Sequence, residues 1–508
     1  MTEETPARRS ARAAELLLLL AAAGAAIVLC VRVASWSSCW RGSVTEGREA
    51  PAIYGVWRAL HGYPLYEWPT RPPYSITLYN FGFYRIYALF SRLVGADGEG
   101  LLWAPRAFTA AGGVVGAAVF VRLGAKLARP KDGLGWAALC ALAFTIWFGT
   151  QFTSWWSISV RPDLWATALA LLGLSAALPG ILERRRALLF SASLLFFLAW
   201  SFKQSSVWMF AGSVVGAVVL GELGAAVALA LPCFVACACA LLLGGAAYRF
   251  NVLHAPAASA WRVSLLVEVL GRAAPQNVGI FAAFPLALLA TKEPALRSFS
   301  RLAANQRLIG VTSLLAVVLG TLALGREGSN KNHLLEGYVL SGLAAWFVVQ
   351  GFAEMPLLKP WVPATIVLGL APLVLLPLLQ LARPNAAGRI VLCSRKDGTV
   401  LAELARTIDR LPKPLYSEDE ILSLPWHSSE GRYPALVLDG TWFGVARREG
   451  LMSREFPFDV LGSGRFASAL FPAGHPDLAV LVARGASCFP VDPAPFGQHY
   501  VACLLGHR

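Results

Sequence analysis

The fold class follows from one stretch, Leu308 to Phe352, which reads "LIGVTSLLAVVLGTLALGREGSNKNHLLEGYVLSGLAAWFVVQGF". Two apolar segments, Leu308–Leu324 and Val339–Phe352, flank a polar turn, Gly325–Tyr338. A helix needs about 20 apolar residues to cross the hydrocarbon of a bilayer. Both segments therefore read as membrane spans. The turn carries more charged and amide side chains than a connecting loop needs, which indicates that it lines something on its side of the membrane.

Composition supports a membrane protein. The chain has 508 residues, 56% of them hydrophobic, and a formal net charge of +14. Soluble domains rarely reach this apolar content. Lys and Arg concentrate in the cytoplasmic loops of membrane proteins, so the positive charge predicts an orientation and no nucleic-acid partner.

The span criterion predicts about eleven transmembrane helices in a membrane domain over residues 1–382. The basic stretch "ARRSAR" precedes the first span, and no cleavage signal follows it, which favours an uncleaved anchor with a cytoplasmic N-terminus. The predicted spans are Ala14–Ser35, Trp103–Leu127, Leu134–Trp155, Leu164–Leu182, Ala187–Trp200, Ser205–Leu220, Ala225–Ala246, Ile280–Ala290, Leu308–Leu324, Leu334–Phe352 and Trp361–Leu381.

A first outer loop, residues 36–102, separates the first two spans and is rich in Pro, Tyr and Trp. Pro51–His61 and Ile76–Val94 are predicted to be amphipathic helices lying on the membrane surface. Their aromatic rings suit the headgroup level.

The distribution of basic residues tests the orientation. With the N-terminus inside, the even-numbered connections are cytoplasmic, and they include "RLGAKLARPKDG", "LERRRA" and "KEPALRSFSRLAANQR". These are the clear basic clusters, as the positive-inside rule requires. The odd number of spans then places the C-terminus outside the cytoplasm, in a multi-pass protein of the cell (inner or plasma) membrane.

Epitope tags test this topology directly. Tags inserted at Arg184–Arg186 or between Lys292 and Arg307 are expected to be cytoplasmic, and a tag after Arg508 extracytoplasmic. A tag at Arg185 that protease removes from sealed, right-side-out cells would contradict the assignment.

The C-terminal tail, residues 383–508, changes character and predicts a small extracytoplasmic α/β domain. The runs "RIVLCS", "YPALVLDG" and "DLAVLVARG" read as strands, and "TVLAELARTIDRL" reads as a helix. Four cysteines lie outside the spans, so disulfides are possible without a readable pairing. They are Cys39, Cys393, Cys488 and Cys503.

Several polar segments share the outer side under this topology, which indicates one cavity there because ionisable residues at span ends need water or a partner. Glu46 and Glu49 are candidate bases, although an isolated loop carboxylate is more often simply solvated. Asp163 opens a span and is either a helix N-cap or a site carboxylate. Arg161 pairs with a carboxylate, holds a phosphate or snorkels to the interface.

Two further clusters complete the candidate site. Lys203 is an outer-side cation against the charge trend, with Gln204 beside it, and is a candidate for binding phosphate. The turn contributes Asn332, His333 and Glu336. Glu336 lies too deep to be freely solvated, so it needs a cation or a hydrogen-bond donor nearby in the cavity, or forms a structural ion pair between helices. No Cys/His cluster has metal-ligand spacing, so no metal or other cofactor is predicted, although a divalent ion remains possible.

The chain resembles bacterial integral-membrane glycosyltransferases of the GT-C fold, the group of protein O-mannosyltransferases and lipid A aminoarabinose transferases. The resemblance covers most of residues 1–352. The segments that carry it are "EGREAPAIYGVWRALHGYPLY", "PPYSITLYNFGFYRIYALFSRLVG" followed by "APRAFTAAGG", "VRPDLWATALALLGL", "FKQSSVWMFAG" and "GSNKNHLLEGY".

This resemblance implies transfer of a sugar from a polyprenyl-phosphate carrier to an extracytoplasmic acceptor, with membrane lipids as partners. The acidic residue of the first loop, the base in the family, corresponds to Glu46, with Glu49 in reserve. The acidic residue of the second outer loop corresponds to Asp163. Arg58 and Tyr66 in the first surface segment are further candidates for substrate binding.

The sequence departs from the family in one respect, because Gly47 follows Glu46 where the family commonly has an adjacent acidic pair. A catalytically inactive assembly or scaffold protein is therefore an alternative. A lipid or solute transporter is another, but it would place polar residues at mid-span depth. The resemblance names neither the sugar nor the acceptor.

Overall fold

The computed structural model describes residues 6–38, 49–70, 77–150, 153–271, 304–326, 331–352 and parts of 403–505. Its membrane part is helical. The helices up to the first outer loop and the second span are α1 Pro6–Ser38, α2 Glu49–Leu60, α3 Phe81–Leu93 and α4 Ala104–Leu127. The next group is α5 Gly133–Phe144, α6 Thr153–Trp156, α7 Asp163–Leu182, α8 Arg186–Phe202, α9 Trp208–Val219 and α10 Leu223–Leu243. They are followed by α11 Gly245–Arg249, α12 Ala255–Ala257, α13 at 263–271, α14 Ala304–Ala323 and α15 Leu335–Phe352.

Five described helices are long and apolar enough to cross a membrane, and three shorter apolar helices accompany them. The five cover Ala11–Ala34, Gly100–Leu127, Asp163–Leu182, Leu223–Leu243 and Ala304–Ala323. This is the architecture of a multi-pass membrane protein. The predicted spans Ile280–Ala290 and Trp361–Leu381 lie outside the described residues, so the count of eleven remains a prediction.

The third predicted span differs from the observed helix. It was expected to run from Leu134 to Trp155, but α5 changes into one π-helical turn, Thr145–Gly149, and α6 follows as a separate short helix. Trp147 in this turn is fully buried, and a Cβ on Gly116 of α4 would lie 2.2 Å from its ring. The π-helical turn therefore occurs where the Trp147 indole packs directly against Gly116.

Helices are present at both positions predicted in the first outer loop, as α2 and α3, with ends shifted by a few residues, and their location on the membrane surface remains a prediction. Asn80 caps α3 by accepting a hydrogen bond from the Phe81 N–H. The aromatic side of α3, including Phe83, Tyr84 and Tyr87, is buried against α2, α4 and α8. The loop therefore covers one end of the helical bundle.

Polar contacts gather at the two opposite ends of the bundle. At one end, Arg184 in the α7–α8 turn forms an ion pair with Glu222 in the α9–α10 turn at 2.9 Å. At the same end, Gln350 near the end of α15 donates to Glu15 near the start of α1. This grouping agrees with the predicted sides of these turns. Which end faces the cytoplasm remains a prediction.

The described C-terminal residues form a four-stranded mixed sheet in the order β1-β2-β4-β3. β1 runs parallel to β2, and β2 and β3 are each antiparallel to β4. The strands are β1 Leu415–Ser417, β2 Ser468–Pro472, β3 Ser487–Val491 and β4 Tyr500–Leu504. A disulfide joins Cys488 to Cys503, which are directly opposite in β3 and β4.

One strand prediction in this region is wrong. "DLAVLVARG" contains a helix, Asp477–Ala483, because Pro476 and Asp477 favour a helix start and Gly485, at φ 90°, favours a helix end. "RIVLCS" and "YPALVLDG" lie outside the described residues. The sheet packs its apolar side, including Tyr416 and Phe471, against Phe250 and Leu78. It therefore lies at the same end of the bundle as the first outer loop.

Candidate active site

Asp163 and Lys203 meet at the end of the bundle that the first outer loop covers. Asp163 begins α7, and Lys203 directly follows the last residue of α8. Because these helices are antiparallel neighbours, their ends coincide. The Lys203 ammonium donates to Asp163 Oδ1 at 2.5 Å, and both side chains are buried. The predicted proximity of these two residues is thus present in the structure.

Arg161 adds a second cation. Its Nη1 lies 3.8 Å from Asp163 Oδ2, and its guanidinium stacks 5.7 Å from the Trp156 ring centroid. The Tyr87 hydroxyl of α3 donates to the Arg161 carbonyl oxygen at 2.8 Å. Burial raises the pKa of the Tyr87 phenol, so it stays protonated and holds this backbone in place.

One carboxylate oxygen of Asp163 accepts no hydrogen bond from the described residues. Oδ1 accepts from Lys203, whereas Oδ2 accepts no hydrogen bond from the described part of the chain although it is buried. A buried carboxylate oxygen normally has a hydrogen-bond donor. Oδ2 is therefore an acceptor position that a substrate hydroxyl could occupy.

The turn before α15 reaches the same place. The Asn332 amide lies close enough to Asp163 to interact with its carboxylate. A methyl group on Gly320 of α14 would lie 2.5 Å from the His333 carbonyl oxygen, so only glycine lets the turn sit this close to α14. The charge of Lys203 acts on Glu336 as well as on Asp163.

Glu336 connects the turn to α9. Its carboxylate accepts from the Ser206 hydroxyl at 2.6 Å and from the Met209 backbone N–H at 2.6 Å. Met209 is the second residue of α9, so the carboxylate caps that helix from outside and meets the positive end of its dipole. Glu336 thus lies beside the Asp163 cluster and at the same time holds the α8–α9 loop that carries Lys203.

Glu49 is fully buried and closely held. Arg106 of α4 donates to both carboxylate oxygens, from Nε to Oε1 at 2.7 Å and from Nη2 to Oε2 at 2.6 Å. The Val160 N–H also donates to Oε1, at 2.7 Å. Each carboxylate oxygen accepts about two hydrogen bonds. Oε1 is therefore saturated by these donors. Val160 lies three residues before Asp163, so its contact with Glu49 connects Glu49 to the segment that carries Asp163.

The remaining predicted residues have other contacts. Gln204 donates to the Leu78 carbonyl oxygen at 2.7 Å and so connects the α8–α9 loop to the first outer loop. Arg58 is buried with its guanidinium 5.8 Å from the Tyr54 ring centroid, and Tyr66 donates to the Tyr79 carbonyl oxygen. His333 is half-buried in the turn. The substrate-binding roles of these four residues remain predictions.

Glu46 lies outside the described residues, so its predicted role as the base stays a prediction. Among the residues that the structure describes, no group of three or more His, Cys, Asp or Glu side chains could hold a metal ion. Metal independence likewise remains a prediction.

Sequence reasoning missed the partner of Glu49. Arg106 was part of the family-like segment "APRAFTAAGG", but it carried no assigned role. A signal was available, because an arginine at the start of a span, next to Pro105, needs an anion or the interface. Arg32 near the end of α1 gave a similar signal, and it is buried with a hydrogen bond to the Ser154 hydroxyl.

No family model and no curated protein sequence matches the chain significantly. Solved structures do match. ArnT from Cupriavidus metallidurans bound to undecaprenyl phosphate superposes with a TM-score of 0.54 at 14% identity, over 94% of this chain and 97% of that chain. The apo state of the same ArnT gives a TM-score of 0.52 at 14% identity with the same coverage. The oligosaccharyltransferase AglB from Archaeoglobus fulgidus, in complex with an inhibitory peptide and a dolichol-phosphate, gives 0.46 at 11% identity, over 89% of this chain and 69% of that chain.

The likeness to ArnT confirms the predicted resemblance at the level of the fold. This chain has the architecture of the GT-C integral-membrane glycosyltransferases over nearly its whole length. Fold does not by itself determine activity, which has to be argued from the site.

Proposed function

We propose that this protein is a membrane glycosyltransferase that moves a sugar from a polyprenyl-phosphate carrier to an acceptor on the outer side of the membrane. The observation that carries the proposal is the buried cluster of Asp163, Lys203 and Arg161, where a carboxylate oxygen that accepts no hydrogen bond from the described residues lies beside two cations. The fold adds support, because ArnT, which shares it, was solved with undecaprenyl phosphate bound.

The cluster suits the chemistry of such a donor. Its prenyl tail requires the bilayer, while its phosphate requires charge and hydrogen-bond donors at the membrane surface. Lys203 has three N–H donors and gives one to Asp163, so others remain for a phosphate oxygen. Arg161 supplies a second positive charge. Donors fixed where charge develops stabilise a leaving phosphate most effectively in a water-poor site.

The proposed reaction is a single displacement. The acceptor oxygen attacks the anomeric carbon, the bond between that carbon and the phosphate oxygen breaks, and the bonding pair leaves with the polyprenyl phosphate. Asp163 Oδ2 takes the acceptor proton as general base. Attack opposite the leaving group inverts the anomeric configuration, by the same geometry that governs inverting glycosidases.

Glu49 is the less suitable base among the described carboxylates. Its two oxygens already accept three hydrogen bonds from Arg106 and Val160, whereas Asp163 Oδ2 accepts none from the described residues. We assign it the role of fixing the backbone from Val160 to Asp163, so that Asp163 and Arg161 stay in place.

The C-terminal domain is assigned to the extracytoplasmic side. Its sheet packs at the end of the bundle that holds the site, and its Cys488–Cys503 disulfide suits an oxidising compartment. The ionisable residues of the described spanning helices lie within about two turns of the ends of their apolar segments, which disfavours a transport path through mid-span.

A transfer assay tests the proposed function. The full chain, purified into proteoliposomes, is given a radiolabelled polyprenyl-phosphate sugar together with membrane extract as the source of acceptor. We expect label to move from the lipid carrier to a second species. Binding of the donor without any loss of its sugar would contradict an enzyme and favour a scaffold.

Lys203→Ala is expected to weaken donor binding by about 10- to 150-fold, since a charge-assisted contact contributes about 1.5–3 kcal/mol. The dissociation constant for the polyprenyl phosphate measures this effect. Lys203→Arg keeps the charge beside Asp163 and controls for folding. Lys126→Ala, at the end of α4 away from the site, controls for loss of positive charge. Unchanged donor affinity in Lys203→Ala would make Lys203 only a structural partner of Asp163.

A further inference from the structure

A second cationic site lies away from the cluster around Asp163. A cleft of 660 Å³ opens between α3, the chain segment that follows α2, and the end of α10. We call it the α3 groove. The residues that define its chemistry are Tyr63, Tyr66, Arg85, Leu89, Arg92 and Gly244.

The α3 groove is positively charged. Arg85 and Arg92 are seven residues apart, which places them on one side of α3 with Cα atoms about 10 Å apart along its axis. Both are exposed, and no Asp or Glu is among the described residues that line the groove. Two long side chains at this spacing can reach a single phosphate.

Both guanidinium groups, of Arg85 and Arg92, keep N–H donors that the described residues do not use. Arg92 donates through Nη2 to the Leu60 carbonyl oxygen at 2.7 Å, which leaves most of its five N–H donors available. Arg85 makes no hydrogen bond or ion pair with the described part of the chain and acts only electrostatically on Tyr66. Burial raises the pKa of the Tyr66 phenol, so Tyr66 does not supply an anion to neutralise Arg85.

The groove opens onto an apolar surface. Leu89 lies between the two arginines and is 55% exposed. Leu242 and Leu243 at the end of α10, next to Gly244 in the groove wall, are 73% and 87% exposed. α10 is an apolar helix long enough to span a membrane and has little burial inside the protein, so we expect these leucines to contact acyl chains. Cations at the end of a lipid-facing span lie at headgroup level.

From this arrangement we propose that the α3 groove binds an anionic glycerophospholipid, with the lipid phosphate between Arg85 and Arg92. The lipid belongs to the membrane leaflet on the same side as the Asp163 cluster. Its acyl chains lie along Leu242 and Leu243. Charge complementarity and continuity with the lipid-facing surface of α10 carry the assignment. A bound lipid there tethers α3, whose other side holds the backbone of Arg161 through Tyr87.

Native mass spectrometry of the full chain, released from nanodiscs, tests this proposal. Wild type is expected to retain phosphatidylglycerol in preference to phosphatidylcholine. The double variant Arg85→Gln/Arg92→Gln keeps the side-chain stems and is expected to bind phosphatidylglycerol about tenfold or more weakly, since two charge-assisted contacts are lost. Arg122→Gln/Arg186→Gln, at the opposite end of the bundle, removes the same charge as a control. Equal melting temperatures confirm that both variants fold.

Three outcomes would overturn the proposal. Equal retention of both lipids by wild type would show that the arginines only snorkel. Equal losses in the two double variants would show a nonspecific charge effect. Displacement of phosphatidylglycerol by stoichiometric undecaprenyl phosphate, abolished by Arg85→Gln/Arg92→Gln, would assign the groove to the donor. None of these results depends on sugar transfer, so the test stands apart from the proposed function.

Discussion

Asp163→Asn is expected to reduce sugar transfer by about 10²- to 10⁴-fold, the range for loss of a general acid or base. Asparagine has nearly the same shape, but its side-chain amide is not a base and cannot take a proton from the acceptor. Its carbonyl oxygen can still accept from Lys203. We therefore expect the polyprenyl-phosphate sugar to bind while turnover fails, which single-turnover kinetics with labelled donor would measure.

Asp132→Asn is the matched control for this prediction. Asp132 caps α5 at the other end of the bundle by accepting from the Gly135 N–H at 2.9 Å, and asparagine caps a helix about as well as aspartate. Transfer should be unaffected. If Asp163→Asn kept wild-type turnover and Glu49→Gln lost it, the base would be Glu49.

Arg106→Ala is expected to destabilise the protein by about 3–5 kcal/mol, because it leaves the fully buried Glu49 carboxylate without its cation. Chemical or thermal unfolding in detergent, followed by tryptophan fluorescence, measures the loss. The double variant Glu49→Ala/Arg106→Ala should recover part of it, since both charges are then absent.

The exposed ion pair between Arg184 and Glu222 provides the comparison for this double-mutant cycle. Its separation of 2.9 Å differs little from the 2.6 Å of the pair between Arg106 and Glu49, but its arginine side chain is 78% exposed. Solvent screening makes such pairs weak, so removing it should change stability far less. Equal losses at the two sites would contradict the role given to Glu49.

The sequence predicted which residues lie on the same side of the membrane domain. It predicted less well which side chains form hydrogen bonds with each other. Apolar spans and basic loops place Asp163, Lys203 and Glu336 at the same end, because span ends alternate between the two sides of a membrane. Their proximity follows once α7 and α8 are antiparallel neighbours. The helix cap that Glu336 provides to α9 was not predictable, since it depends on where α15 lies relative to a loop 130 residues away.

Other features depend on information that a single sequence carries only weakly. Glu49 was predicted to be a candidate base or a solvated loop carboxylate, and its ion pair with Arg106 was missed because Arg106 is 57 residues further along the chain. The helix Asp477–Ala483 was misread as a strand because a short apolar run fits both periodicities. There the flanking Pro476 and Gly485 were better guides than the run itself.

The structure of the full chain with an undecaprenyl-phosphate sugar bound is the most direct test of the central claim. We expect the donor phosphate about 3 Å from the Lys203 ammonium. We also expect the anomeric carbon on the side of Asp163 that presents Oδ2, with the prenyl chain leaving between spans into the bilayer. A phosphate bound at the opposite end of the bundle, or one that leaves the contact between Asp163 and Lys203 buried and out of reach, would contradict it.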